Sequence, residues 1–177
     1  MTQRDLEKFE DSITNIAKEQ DSILFIYKNR HQEGILMSVM LANTNKVVRM
    51  FSCGDRNDVL EETRYWNGVC DYLKEKKRIK LLVDNEEITE KAFFGLLKKE
   101  KEARGDDSIS VKLISKEDKD KLLFAVVEES CNFNVFDNDK FMFEAPTGAY
   151  SSFNHPNTCA YLNTHFDKFF ESSKVLL

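Results

Sequence analysis

Proline and glycine are scarce in this chain, at two and six residues among 177. With so few obligatory turn formers, the sequence suits long helices and strands joined by short connections. It also lacks any apolar run of about 18 residues, so no membrane-spanning helix is expected. The first ten residues are polar and acidic, without the apolar centre of a signal peptide, and cytoplasmic residence is the expectation. The four cysteines, Cys53, Cys70, Cys131 and Cys159, form no C-x-x-C pair and have no histidine at ligand spacing. Reduced, partly buried thiols are expected, with no bound metal and no cofactor. Positive charge is in deficit: 26 Lys and Arg face 31 Asp and Glu, a formal net charge of −5. That balance disfavours a general nucleic-acid binder and an acidic membrane surface, because phosphate binding needs concentrated cations. The one basic run, Lys74-Glu75-Lys76-Lys77-Arg78, suits the C-terminal end of a helix, where cations meet the negative pole of the dipole. A Gly-rich phosphate loop and a G-x-S-x-G elbow are both missing.

What the chain does have is core material: 41% hydrophobic residues, including fourteen Phe, alongside 32% charged residues. One globular α/β domain spanning 1–177 is expected. Residues 4–18 place Leu6, Phe9, Ile13, Ile16 and Ala17 on one helical face. Residues 23–27 read as a short buried strand or the start of a second helix, and 34–42, apolar nearly all round, as a buried helix. Residues 46–52 are β-rich. Asp58 is placed to cap a helix over 59–75, and 78–84 is an apolar strand ending in an acidic turn. Thr89 is read as opening a helix that runs to Arg104. Strands follow at 111–114, 122–128, 132–136 and 140–144, with the 116–121 charge cluster read as a loop. A helix over 157–172 closes the order. Helices alternating with strands, then a late hairpin, predict a mixed, mostly parallel sheet with helices on both faces.

The last third, 121–174, carries the most specific pattern. Phe133-Asn134-Val135-Phe136-Asp137 is a strand running into an acidic turn, Ser151-Ser152-Phe153-Asn154 follows, and an amphipathic helix with a Phe-Asp-Lys-Phe-Phe centre ends the stretch. This order resembles the C-terminal half of a phospholipase D-like domain. There a strand carries H-x-K, four residues and an Asp, and a G-S-x-N segment and a helix come after. Aligned on Asp137, Ser130 falls at the His position and Asn132 at the Lys position. A slip of two residues aligns Asp139 and puts Asn132 and Asn134 there. Neither His nor Lys is present in either register. Residues 145–150 read as an insertion that delays the Ser-Ser-Phe-Asn segment.

The resemblance implies a phospholipase D-like fold and a vestigial pocket formed by Ser130, Asn132, Asp137, Ser152, Asn154 and His155. The family's reaction uses an imidazole nucleophile and a Lys that stabilises the developing charge, so their replacement implies a domain without catalytic residues that acts by binding. The expected partner is a protein, either a second copy or a different chain. The alternative is a diverged phosphodiesterase or nuclease using His155, or a metal held by Asp137 and Asp139. His155 precedes Pro156, which fits the first helical turn, so a near-cap position is expected. His165 and Lys168 share an outward helix face, and His31 reads as structural. Tyr161, Phe166, Phe169 and Phe170 form a stripe at helical spacing, read as core with Phe166 and Phe170 against the sheet.

Overall fold

The structure is a computed structural model in full atomic detail, and it describes residues 2–53, 63–126, 128, 131–146 and 148–177. In chain order the elements are α1 (Gln3–Glu19), β1 (Phe25–Ile26), α2 (Arg30–Ala42), β2 (Val47–Ser52), α3 (Thr63–Lys74) and β3 (Arg78–Val83). A 3-10 helix (Glu86–Glu90) leads into α4 (Ala92–Arg104), β4 (Ile109–Leu113), α5 (Lys116–Ala125), β5 (Asn132–Phe136), β6 (Lys140–Ala145) and β7 (Gly148–Ser152). Helix α6 (Pro156–Ser172) and β8 (Lys174–Val175) end the chain. The predicted cap at Asp58 and the first residues of its helix lie outside the described residues.

Among the described residues, eight strands form one sheet in the order β1-β7-β6-β5-β2-β3-β4-β8. The sheet is mixed, as expected, but not mostly parallel. Only β2–β3 and β3–β4 pair in parallel, while β1–β7, β2–β5, β4–β8, β5–β6 and β6–β7 are antiparallel. The reason lies in the late hairpins: two successive short connections fold β5, β6 and β7 back on one another, and only a helical crossover makes a parallel neighbour.

Helices cover both faces. One core joins the sheet to α1 through α4, with Ile13, Met37, Tyr65, Val69, Phe93 and Leu97 buried in it. The other packs α5 and α6 through Leu122, Leu123, Leu162, Phe166, Phe169 and Phe170. Phe166 is fully buried and Phe170 nearly so, as predicted; Tyr161 is not core, being 49% exposed. Helices α2 and α3 pack so closely that a Cβ on Gly68 would lie 2.8 Å from the Ser38 Cα. Glycine is therefore required at that crossing.

Two segments differ from expectation. Residues 122–125 belong to α5, not to a strand, and the 116–121 charge cluster is its first turns. Ser115 caps it, its Oγ accepting from the Asp118 N–H at 3.1 Å. The sequence reads 145–150 as an insertion, but Gly148–Ser152 form strand β7, held by antiparallel pairing to β6. Thr89 lies in the 3-10 helix, and α4 begins at Ala92 behind Lys91.

Candidate functional site

The carboxyl ends of β2 and β3 open onto a cleft, the place where α/β sheets position ligands. Strand β5 runs antiparallel to β2, so its first residues reach the same end. Period-two alternation sends Asn132 and Asn134 to one face, and both line this cleft with Glu33, Met37, Met50, Ser52, Tyr65, Leu81 and Phe93. The free space is only about 50 Å³, room for a few waters at most. Among the described residues, neither Lys nor His lines it.

A polar cluster borders it. The Asn132 Oδ1 accepts from the Cys53 backbone N–H at 2.6 Å. The Cys53 Sγ lies 3.4 Å from the Asp84 carboxylate, which also pairs with Lys119 at 3.1 Å. That bond to Asp84 leads the factors raising the Lys119 pKa, against the opposing effect of burial. The sequence marks Cys53 only as a scattered thiol and Asp84 only as the acid of a turn, neither as a site residue. The signal was their position, each directly after an apolar parallel strand. The thiols of Cys131 and Cys159 are buried, and desolvation pushes each up to about 12, leaving both protonated and poorly reactive at neutral pH.

The predicted pocket residues divide between the two ends of β5. Asn132 lies at the cleft. Asp137 lies about 17 Å away by strand rise, just beyond the strand's last residue, Phe136. Ser152 pairs with Phe141, which pairs with Val135, so the Ser-Ser-Phe-Asn segment also sits toward the Asp137 end. Ser152 is buried, its Oγ accepting from the Asn154 N–H at 3.4 Å, and Asn154 itself is exposed. Ser130 lies outside the described residues.

Asp137 has a structural task. It sits at φ 54, and its carboxylate accepts from the backbone N–H groups of Asn45, Lys46 and Val47 at 2.8, 2.8 and 3.1 Å. It thereby fastens the β5–β6 turn to the start of β2. Asp139 pairs with Lys140 at 2.6 Å. Both carboxylates proposed as metal ligands are thus engaged with protein groups, and no cluster of three metal-ligating side chains occurs among the described residues.

His155 is the N-cap residue of α6. Its N–H donates to the Asp139 carbonyl at 2.7 Å, and its carbonyl accepts from Cys159 at 3.1 Å. Its ring meets the Phe141 ring edge-on at 5.8 Å, and its buried Nδ1 has no hydrogen-bond partner among the described residues. The ring borders an open pocket of about 350 Å³ with Phe141, Phe143, Tyr150, Tyr161 and Glu128. This pocket packs on the α5–α6 side of the sheet; the Asn cleft lies mainly on the other. His165 instead meets the Tyr161 ring at 4.6 Å on the outer side of α6.

No protein-family model matches the sequence, and no curated protein matches it significantly. Solved structures do match in fold. The archaeal chromatin protein TrmBL2, whose structure shows a novel mode of DNA binding, superposes with a TM-score of 0.59 at 9% identity, over 95% of this chain and 59% of its own. The present chain therefore spans about three fifths of that protein. Nuc from Salmonella typhimurium, a phospholipase D family member, gives 0.54 at 11% identity over 80% and 88% of the two chains. NucT from Helicobacter pylori gives 0.55 at 8% identity over 87% and 98%. The fold is thus α/β and phospholipase D-like. No helix among the described residues is long and apolar enough to cross a membrane.

Proposed function

We propose that residues 1–177 form a single non-catalytic domain on a phospholipase D-like scaffold, acting in the cytoplasm by binding a protein partner, a second copy or a different chain. One observation carries this reading: Asn132 and Asn134 both line a cleft of about 50 Å³, with neither Lys nor His among its described lining residues. An amide is not a base, and its nitrogen does not attack phosphorus at neutral pH. Asn132 is further committed to the Cys53 N–H. The cleft is also too small for a phosphodiester and an attacking group together.

The alternative, a diverged phosphodiesterase using His155, has in its favour the unpartnered Nδ1 in an open pocket. Against it stand the aromatic lining and the lack, among the described lining residues, of a Lys or Arg to stabilise phosphorane charge. DNA binding, suggested by the chromatin protein with this fold, is opposed by the net charge of −5.

The test is turnover of a generic phosphodiester, single-stranded DNA and phosphatidylcholine, with and without divalent metal, together with DNA binding and solution mass. No turnover and no DNA retention at physiological salt are expected. Turnover abolished by His155→Ala overturns the reading in favour of the phosphodiesterase, and turnover lost only with chelator points to the acidic turn. Tight, salt-sensitive DNA binding transfers the domain to the nucleic-acid class.

A further inference from the structure

The pocket beside His155 differs in its chemistry from the cleft beside Asn132 and Asn134. Phe141 and Phe143 on β6 form a buried floor. Tyr150 on β7 stacks on Phe143, with ring centroids 5.7 Å apart and planes 5° from parallel. Tyr161 on α6 and His155 at its N-cap add to the lining, and Glu128 is the one acidic side chain among the described lining residues. Among the described residues, no Lys or Arg lines it.

Aromatic faces carry negative potential, and a carboxylate adds to it. Such a lining repels phosphates and carboxylates. It favours an organic cation whose apolar stem can be buried among the rings. At about 350 Å³ the space exceeds one such group and admits a side chain with part of its backbone. The surroundings suit a polypeptide. Leu24 lines the pocket and is 57% exposed. Ile26, two residues on, is 66% exposed, and Phe124, two residues before the lining residue Val126, is 86% exposed. Ile26 belongs to β1, the terminal strand of the sheet, whose outer edge is free to pair with an added strand among the described residues.

We infer that this pocket receives a basic side chain, arginine or lysine, from an extended segment of a partner protein whose flanking apolar residues lie along Leu24 and Ile26. The inference rests on the binding reading above and names its site and the chemistry of its partner. It does not involve the Asn132–Asn134 cleft.

The experiment titrates the full chain, followed by NMR, with a blocked leucine-arginine-leucine tripeptide. Its control is the same peptide with citrulline, which keeps the shape of arginine without its charge. Saturable shifts are expected at Tyr150, His155 and Tyr161, with the citrulline peptide binding roughly threefold to thirtyfold more weakly. Tyr161→Leu, at a half-exposed position, should cut affinity by a similar factor, with a small fall in melting temperature from loss of the hydrogen bond its hydroxyl donates to the Ala125 carbonyl. Glu128→Gln should narrow the gap between the two peptides. Equal binding of both peptides, absence of saturable shifts, or shifts centred on Asn132 would each overturn the inference. If Tyr161→Leu unfolds, the wild-type peptide pair decides alone. Phosphodiester turnover measured on the same preparation reports separately on the binding reading.

Discussion

The cleft beside Asn132 and Asn134 contains about 50 Å³ of free space, and the pocket beside His155 about 350 Å³. Both are built on strands of one sheet. The cleft lies at the carboxyl ends of parallel strands and is plugged by Met37, Met50, Tyr65 and Phe93 from three helices and a strand. The pocket lies where hairpins replace crossovers and only α5 and α6 cover the sheet, so less side-chain volume reaches it. At the carboxyl ends of the parallel strands, where α/β sheets commonly position ligands, side chains leave little space, while the thinly covered part of the sheet is open. A roomier concavity can therefore lie away from the position a fold suggests, which is why fold likeness alone does not assign a site.

The largest effect expected is on the helix that supplies one wall of the pocket. Phe166 is fully buried, 6.3 Å from the Phe133 ring and 5.2 Å from Phe170. Phe166→Ala should cost roughly 3–5 kcal/mol in denaturant unfolding, the range for large-to-small aromatic core changes. A loss under about 1 kcal/mol would mean that α6 is not a core element, and the contrast between a closed and an open region would lose its basis.

Next comes the turn that aims β6, and with it Phe141 and Phe143, at the pocket. Asp137→Ala strips three backbone N–H groups of their acceptor and leaves alanine at φ 54. A cost of about 2–4 kcal/mol is expected, measured by thermal or urea unfolding, with Asp137→Asn recovering part of it. An unchanged stability would return Asp137 to the list of ligand candidates.

That residue also shows what was legible in the sequence. An acidic turn after an apolar strand was readable at 137, as were the buried faces of Phe166 and Phe170 and the strands over Val47–Ser52 and Arg78–Val83. The partners of Asp137 were not, because Asn45, Lys46 and Val47 are some ninety residues away. Residues 122–125 misled for a local reason. Leu122, Leu123 and Phe124 form a short apolar run that fits a strand or a helix equally well, and the deciding signal was the Ser115–Asp118 cap hidden in a charge cluster. Strand β7, composed of Gly, Ala, Tyr, Ser and Ser, has weak intrinsic preference and exists through its pairing with β6. The aromatic pocket was invisible for the same reason, since Phe143 and Tyr150 meet only once β7 is recognised as a strand.

A smaller effect concerns the face shared by α6 and the central strands. The Arg49 Nε bonds the Asp167 carboxylate at 3.0 and 3.1 Å, and Lys80 reaches it at 3.2 Å. Burial alone would raise the Asp167 pKa, but the hydrogen bonds and charge of Arg49, followed by those of Lys80, outweigh it and hold it below the usual carboxylate value. A carboxylate depressed on folding contributes stability that is present above its unfolded pKa, about 3.9. That contribution is lost as pH falls through the lowered folded value. Asp167→Asn should therefore lower stability at neutral pH and flatten the stability–pH curve below about pH 4. Parallel curves for variant and wild type would mean that the pair does not hold α6.

The smallest expected effect is the most pointed test of the closed cleft. Asn132→His with Asn134→Lys writes the missing H-x-K pair onto the face of β5 that meets the cleft, in the register that aligns Asp139. If loss of two side chains were all that separated this scaffold from catalysis, the double variant should begin to hydrolyse phosphodiesters. The geometry argues otherwise. An imidazole at 132 forfeits the bond that now accepts the Cys53 N–H. Imidazole and ammonium must both enter about 50 Å³ already walled by Met37, Met50, Tyr65 and Phe93, where overpacking costs typically 1–3 kcal/mol. A Lys there is also close to the Glu33 carboxylate lining the same cleft, so it is drawn to protein in place of phosphate. The expected change in turnover is nil, accompanied by a modest loss of stability, read by a phosphodiester assay and an unfolding curve on one preparation. Turnover in the double variant that disappears on reverting position 132 would show the cleft able to reopen, and would place the difference between the two regions in residue chemistry and not in packing.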